Sequence, residues 1–351
     1  MTDQPPSQRP LIGFNSTFLA NETGTLFIRE LDTGRLELRG EARDPRVHVP
    51  HSPCITSYPL DLIRLIFSAY GATYTCDEIS RDIDETEAAL DVRYSVVAYF
   101  DEEVFARPHR ILDYGCGAGS STVTLSRLFP HARLIVGMDF VEQFLSIARS
   151  RVSHYGITNV QFEKVSSGEN FQKAGEEYDL VFLNAVYEHL LPSERPTVLA
   201  NLWSVLKPGG ALILNQTPHR WFPIETHTSG LPLINYLPDA FAFWTVRKFS
   251  KREISRSSWD QLLRAGVRGA SVREIMRHIK KIDTGASRLK PLRLSTSWAG
   301  IWYAAKRARL RKLGRPLLRA GIVSTEWLVR STRLPISPYI NIAVSKRPAG
   351  S

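Results

Sequence analysis

The sequence has few cysteines and no long apolar run. Its three cysteines, Cys54, Cys76 and Cys116, are too few and too scattered among 351 residues for a disulfide framework or a zinc site. No uninterrupted apolar segment approaches the roughly 20 residues that a membrane-spanning helix needs. The first ten residues also lack the apolar stretch of a signal peptide. We therefore expect a reduced, cytoplasmic protein with about two domains, or one elaborated domain.

Basic residues are concentrated in one part of the chain. The formal net charge is +10, and residues 277–333 alone hold fifteen lysines and arginines against two acidic residues, a net charge of +13. Within this segment, Trp298, Ile301, Trp302 and Ala305 fall on one predicted helical face. Tryptophan beside arginine is typical of helices that lie on an anionic membrane surface. Two other interpretations of this segment stay open: it is a solvated helical pair packed on the main domain, or it contacts nucleic acid.

Strand-like and helix-like segments alternate from about residue 110 onward. This alternation is typical of a parallel sheet with helices on both faces. Upstream, residues 25–40 form two alternating runs around a turn at Gly34, which predicts a β-hairpin. The predicted organisation is an N-terminal extension with this hairpin (1–84), an α/β core (85–276), a basic helical insertion (277–336), and the last core strand and tail (337–351).

The stretch "RILDYGCGAGS" places three glycines after the first predicted core strand. In a sheet of this kind, ligands bind beyond the carboxyl ends of the strands. The dinucleotide fingerprint G-x-G-x-x-G would require glycine where Ser120 stands. Asp113 would repel a pyrophosphate but suits a cationic ligand such as S-adenosylmethionine, which carries an ammonium and a sulfonium and no phosphate. Asp139, at the end of the second strand, can accept hydrogen bonds from ribose hydroxyls.

These residues resemble motifs of class I S-adenosylmethionine-dependent methyltransferases, in particular the ubiquinone- and menaquinone-biosynthesis-like group. The matching motifs are "ILDYGCGAG", "VGMDF", "YDLVFLNAVYEHL" and "LKPGGALILNQTP". The resemblance implies a Rossmann-like, mostly parallel sheet of seven strands whose last strand is antiparallel. It also implies that "SSWDQLLRAGVRGASVREI" and "YINIAVSKR" supply the last helix and the last two strands. The cofactor-binding residues implied by the resemblance are Asp113, Gly115, Gly117 and Gly119 for the methionine part, Asp139 for the ribose, Phe140 and Ser166 for the adenine, and Asn184 for the middle of the cofactor.

Three histidines follow predicted strand ends and are candidates for a general base. They are His189, His219 and His227, and a histidine's ordinary pKa suits proton transfer near neutral pH. Glu225 is placed to orient His227. The pair Glu188-His189 is similar to a metal-binding motif of quinone O-methyltransferases, but that motif needs an acid where Ala185 stands. We therefore predict no metal.

The predicted function is transfer of a methyl group from S-adenosylmethionine to a small or lipid-like acceptor, with oxygen as the favoured atom. The aromatic segment 219–244 is expected to form a lid or wall beside the acceptor, or else a packed connection. Two alternative functions stay open: a nucleic-acid-associated methyltransferase that uses the basic segment, and a non-catalytic S-adenosylmethionine-binding module. The segment "NAVY" lacks the prolines of enzymes that methylate base amines, which makes base amines poor candidates.

Overall fold

The computed structural model contains two compact units, Met1–Thr86 and Glu87–Ser351. The structure describes residues 16–45, 47–83, 86–165, 177–225, 227–250, 257–292, 306–308, 311, 314, 316–332 and 337–348.

The first unit is an antiparallel sheet with one long helix. Its strands pair in chain order, and the helix α1 (Leu60–Ser80) contacts strand β3. The strands are β1 (Ser16–Asn21), β2 (Gly24–Glu30), β3 (Leu36–Ala42) and β4 (Cys54–Thr56). The expected hairpin is β2 with β3, and Gly34 takes a positive φ of 72° in its turn. Leu26 and Leu38 are fully buried, whereas the residues that follow them, Phe27 and Arg39, are exposed, so one face of the sheet forms the core.

The second unit is built on a seven-stranded sheet in the order β10-β11-β9-β8-β5-β6-β7. Five strands run parallel, whereas β11 is antiparallel to β9 and to β10. The strands are β5 (Arg110–Tyr114), β6 (Leu134–Asp139), β7 (Val160–Lys164), β8 (Tyr178–Asn184), β9 (Leu206–Pro218), β10 (Ser287–Arg288) and β11 (Tyr339–Ser345). The expected Rossmann-like, mostly parallel sheet is confirmed.

Helices cover both faces of this sheet. They are α2 (Glu87–Val97), α3 (Glu102–Ala106), α4 (Ser120–Leu128), α5 (Glu142–His154), α6 (Arg195–Ser204), α7 (Asp239–Phe249), α8 (Trp259–Arg264), α9 (Val272–Ile282) and α10 (Pro316–Thr332). Successive strand residues enter different clusters: Ile111 packs with side chains of α2 and α4, and Leu112 packs with side chains of α6 and α9. Burial on both faces explains why these strands are almost wholly apolar.

The sixth core strand and the start of the insertion differ from the sequence prediction. The segment "GVRGASV" makes a single bridge, between Ala270 and His219, because Ser271 then caps α9 by accepting the backbone N–H of Glu274. Helix α9 crosses position 277, where the insertion was predicted to begin. Its Ile275 and Ile279 are fully buried in the core, so the basic residues here belong to the outer face of a core helix. The sixth strand is instead β10, within the predicted insertion.

Within the described part of the chain, the outer edge of β11 pairs with another strand over a short length. Strand β10 pairs with two residues of the seven-residue β11. Nearby, the Tyr99 hydroxyl donates to the carbonyl oxygen of Asn341 at 2.6 Å, and the Leu289 N–H donates to the carbonyl oxygen of Ala343 at 2.9 Å.

The basic segment is described only in part. Trp298, Ile301, Trp302 and Ala305 lie outside the described residues. Helix α10 exposes 68% of Trp327, while Glu326 is buried and ion-paired with Arg307. None of the helices in the described ranges is both long enough and apolar enough to cross a lipid bilayer.

Candidate active site

A cavity of about 870 Å³ lies at the carboxyl ends of β5, β6 and β8. Its wall comes from the loop after β5, the end of β6, the turn after β8, and helices α6 and α8. The wall residues are Tyr114, Gly115, Gly117, Met138, Asp139, Phe140, Phe144, Val165, Ala185, Val186, His189, Leu190, Ser193, Glu194, Thr197, Val198, Asn201 and Arg264. Four of the predicted cofactor residues, Gly115, Gly117, Asp139 and Phe140, therefore share one wall with one predicted base, His189.

The glycine-rich loop presents bare backbone to this cavity. Gly117 has a φ of +53°, and a Cβ added there would have no heavy atom within 4 Å. Gly119 has a different role, because a Cβ there would lie 2.7 Å from the Cβ of Ala148 on α5. Gly119 thus permits close packing of the loop on α5, whereas Gly117 leaves room for a ligand to approach the backbone.

Asp139 holds the loop and also faces the cavity. Its two carboxylate oxygens accept the backbone N–H groups of Gly117 and Val141, each at 2.9 Å. The side chain is largely buried but still contributes to the cavity wall. The next residue, Phe140, is 65% exposed on the same wall. The two residues thus lie side by side on the cavity wall, and their contacts with the ribose and the adenine stay predictions.

Asp113 is placed behind the loop and contributes no surface to the cavity. It is fully buried, and its carboxylate accepts hydrogen bonds from Ser121 and Thr122 at 2.7 Å and from the amide of Asn184 at 3.3 Å. Burial raises the pKa of this carboxyl group. Asp113 therefore ties the first turn of α4 to the end of β8, in place of the direct contact that the sequence predicted. Gly119 and Asn184 are also absent from the cavity wall, and Ser166 lies outside the described residues.

The three candidate histidines have different surroundings. His189 lines the cavity, and its Nδ1 lies 2.6 Å from the carbonyl oxygen of Arg264. His227 lies beside it, with 5.8 Å between the ring centres. His219 is away from the cavity wall and nearly buried, and burial lowers its pKa. The structure thus brings His189 and His227 together and leaves His219 apart.

Glu225 does not orient the His227 ring as the sequence predicted. Its carboxylate instead accepts the backbone N–H groups of His227 and Thr228, each at 2.8 Å, and that of Ser229. The Ser229 hydroxyl also donates to Oε2 at 2.6 Å, so both carboxylate oxygens are occupied by donors other than the His227 ring. Glu225 thus shapes the loop that carries His227.

Three further residues of this site were not among the predicted site residues, although the sequence had marked Glu188 as part of a motif-like pair with His189. Glu188 is fully buried, its Oε2 accepts the Thr217 hydroxyl at 3.2 Å, and burial raises its pKa to about 8. Arg264 and Glu194 form an ion pair on the cavity wall, with Nη1 2.8 Å from Oε2, which joins α8 to the start of α6. The sequence signal for Glu188 was its place beside His189 after a strand end. Arg264 and Glu194 carried no local signal, since they are 70 positions apart.

Comparison with known proteins shows which family the cavity region resembles. A family described as "Methyltransferase domain" matches residues 111–210, which include the glycine-rich loop, Asp139 and His189. Residues 111–210 of this chain thus carry a methyltransferase domain. The cofactor of this methyltransferase domain is S-adenosyl-L-methionine, and the bare backbone at Gly117 beside the Asp139 carboxylate fits it.

The domain is similar to several named methyltransferases. It is 30% identical over 129 residues to a demethylmenaquinone methyltransferase of Lactococcus lactis, covering 36% of this chain and 50% of that protein. It is 34% identical over 122 residues to a malonyl-[acyl-carrier protein] O-methyltransferase of Bacillus cereus, covering 34% and 41%. It is 28% identical over 152 residues to a ubiquinone biosynthesis O-methyltransferase of Cereibacter sphaeroides, covering 38% and 59%. The chain thus spans about half the length of these relatives.

Replacing Asp139 with alanine is expected to weaken S-adenosylmethionine binding by roughly tenfold or more. The cofactor would lose a charged acceptor for its ribose, and each such hydrogen bond contributes about 0.5–1.5 kcal/mol, or up to about 3 kcal/mol with a charged partner. The change also frees the Gly117 N–H. Isothermal titration calorimetry measures the loss. Asp101→Ala, which removes the carboxylate that accepts the Val104 N–H at the start of α3, is the matched control and should bind normally. Equal affinities of the two variants would contradict the placement.

Proposed function

We propose that this protein transfers a methyl group from S-adenosylmethionine to an oxygen atom of a small or lipid-like acceptor. The observation that carries the proposal is the presence of His189 on the same cavity wall as Gly117, Asp139 and Phe140. Methylation of a hydroxyl needs a base to take its proton and a cofactor site that holds the methyl donor next to it, and both lie in this cavity. Two of the similar proteins are named O-methyltransferases, which also supports oxygen as the accepting atom.

His189 has the tautomer that a base at this position requires. The ring nitrogen that faces the Arg264 carbonyl oxygen must carry the hydrogen, so Nε2 keeps its lone pair. S-adenosylmethionine supplies a methyl group already activated on a sulfonium. The acceptor oxygen forms its bond to this methyl carbon as the carbon–sulfur bond breaks, and the hydroxyl proton passes to Nε2. The wall residues have only to position the acceptor in line and exclude water.

Methyl transfer can be tested without knowing the acceptor. The purified protein is incubated with S-adenosylmethionine carrying a labelled methyl group and with lipid and small-molecule extracts, and mass spectrometry identifies labelled products. We expect a product that carries the label on oxygen and fails to form with the Asp139→Ala variant. Cofactor binding with no labelled product in any extract would favour a non-catalytic binding module. Labelled nucleic acid would move the acceptor to that class.

We propose further that the protein docks on an anionic membrane surface close to a lipid-linked acceptor. The support comes from exposed aromatic side chains in the segment after β9, which include the ring pairs Trp221–Tyr236 and Trp244–Phe249. With Phe241, these side chains are 46–65% exposed. Arg247 and Lys248 lie in the last turn of α7, and the Lys248 Nζ is 4.8 Å from the Trp244 ring centre. Exposed aromatics beside cations are typical of interfacial helices, and each cation near an anionic surface contributes about 1 kcal/mol.

Membrane docking is expected to require anionic lipid and to weaken with salt. Co-sedimentation with phosphatidylglycerol-containing and phosphatidylcholine-only vesicles measures this, and the double variant Phe241→Ser, Trp244→Ser should lose binding. Phe18→Ser changes an aromatic side chain of equal 65% exposure in the first unit and is the control. The double variant Trp298→Ala, Trp302→Ala tests the basic segment separately. Equal binding to both kinds of vesicle would contradict the electrostatic part, and salt-sensitive RNA binding without vesicle binding would indicate a nucleic-acid partner.

A further inference from the structure

Beside the cavity, three side chains with metal-ligating atoms lie close together. Glu188 and His189 belong to the short 3₁₀ turn Tyr187–His189 that follows β8, and His227 belongs to the loop that follows β9. One ligand atom from each of the three residues lies within 4.8 Å of the other two. Two imidazoles and one carboxylate from two separate loops thus converge on one point.

His189 is oriented as a metal-ligating histidine usually is. Its Nδ1 donates to the backbone carbonyl oxygen of Arg264 at 2.6 Å, which leaves the lone pair on Nε2. That Nε2 lies 3.9 Å from the Glu188 Oε1. A ligating histidine typically donates its other ring N–H to a carbonyl or carboxylate, which fixes both the tautomer and the ring orientation.

Glu188 directs a buried carboxylate oxygen into the same space. The side chain is fully buried, and the Thr217 hydroxyl donates to Oε2 at 3.2 Å. Among the described residues, Oε1 has no hydrogen-bond donor. A buried polar atom without a partner is costly. A cation held between Oε1 and the two imidazoles would supply that partner.

Gly266 allows the histidine loop to approach Glu188. It follows α8 with a φ of +88°, and a Cβ there would lie 2.8 Å from the Cδ2 of His227 and 3.3 Å from the Cγ of Glu188. Any side chain at position 266 would therefore press on two of the three residues. The absence of a side chain at this position is what permits the convergence.

We propose that Glu188, His189 and His227 bind one divalent transition-metal ion of the zinc class. Imidazole donors favour such an ion over Mg²⁺ and Ca²⁺, which prefer oxygen ligands. The sequence predicted no metal because Ala185 stands where an acid was required, and His227 supplies the third donor from a different loop. Three protein ligands leave at least one coordination position open, which is the pattern of catalytic zinc sites.

The ion would act on the acceptor, and this part of the inference rests on the proposed function. His189 lines the cavity, so an open coordination position lies within reach of an acceptor oxygen. A bound hydroxyl loses its proton more readily because the cation stabilises the oxyanion. With the ion in place, Nε2 of His189 binds the metal instead of accepting the proton. The cation then replaces the general base of the metal-free site, and the proton leaves from the coordinated hydroxyl to solvent.

Metal binding can be measured on chelator-treated, full-length protein without a histidine tag, with Zn²⁺ as the probe. Isothermal titration calorimetry should show one ion per chain. Glu188→Gln and His227→Asn should each weaken binding by more than about tenfold, which is the smallest cost reported for losing even an outer partner of a metal ligand. His131→Asn removes an exposed imidazole outside the cluster and should bind Zn²⁺ like the wild type. Unchanged affinity in the two cluster variants, or no stoichiometric binding by the wild type, would overturn the proposal.

X-ray absorption of the zinc-loaded wild type tests the same site even if a variant fails to fold. We expect two imidazole ligands together with oxygen at about 2.0–2.2 Å. A spectrum without imidazole ligands would overturn the assignment. S-adenosylmethionine binding is titrated separately on the chelator-treated protein. Intact cofactor binding and methyl transfer without metal binding would disprove the metal site alone, whereas metal binding without any methyl transfer would disprove the proposed function alone.

Discussion

Replacement of Gly117 by valine is expected to abolish measurable S-adenosylmethionine binding. The residue has a φ of +53°, and its missing side chain would project into open space at the cavity. A branched side chain there would occupy the ligand's volume, and a left-handed backbone costs about 1–2 kcal/mol for a residue with a Cβ. Isothermal titration calorimetry with S-adenosylmethionine measures the effect, and circular dichroism verifies that the variant is folded.

Gly156 offers a matched control for backbone strain. It has a φ of +63° after α5, and an added Cβ would also have no heavy atom within 4 Å, but it is absent from the cavity wall. Gly156→Val should therefore lower the melting temperature about as much as Gly117→Val and still bind the cofactor. Normal cofactor binding by the Gly117 variant would mean that the ligand lies elsewhere.

Replacement of His189 by alanine is expected to lower the rate of methyl transfer by roughly a hundredfold or more. General base catalysis contributes about 10²–10⁴-fold, and His189 alone of the three candidate histidines lines the cavity. Affinity for S-adenosylmethionine should change little, because the predicted ribose and adenine contacts come from Asp139 and Phe140. Steady-state kinetics with an identified acceptor separates the effect on kcat from the effect on KM.

The other histidines decide how the result is interpreted. A large loss in His227→Ala as well would agree with a shared role of the two rings, which lie 5.8 Å apart. His131→Ala, an exposed change, should keep full activity. If the variants at positions 189, 219 and 227 all keep full activity, catalysis by histidine is excluded, and positioning alone is the mechanism.

Local patterns in the sequence predicted the fold and the place of the cavity. Alternating apolar strands and amphipathic helices specify a parallel sheet, and a glycine-rich turn after β5 must lie at its ligand-binding edge. Asp139 could be predicted because it ends the next strand at the same edge. Each of these inferences depends only on residues that are close together in the sequence.

The roles of other residues depend on contacts between distant segments. Asp113 looked like a ligand contact, but Ser121, Thr122 and Asn184 from two other elements enclose it. The convergence of Glu188 with His227 depends on Gly266 at the end of a third element. The strand-like segment before α9 failed to extend because Ser271 caps the helix. Sequence spacing carries no information about which of these distant donors meet.

The edge of β11, which pairs with two residues of β10 in the described ranges, has a consequence for solubility. A long strand with free N–H and C=O groups at a sheet edge is a template on which a strand of another molecule can add. Here β10 occupies two positions, and the Tyr99 hydroxyl occupies the Asn341 carbonyl, which a foreign strand would otherwise use. Because the Asn341 carbonyl oxygen already accepts the Tyr99 hydroxyl, it is less available to the backbone N–H of an added strand. We therefore expect the Tyr99 contact to disfavour edge-to-edge pairing of this sheet, a role unrelated to the cavity on the opposite side of β9.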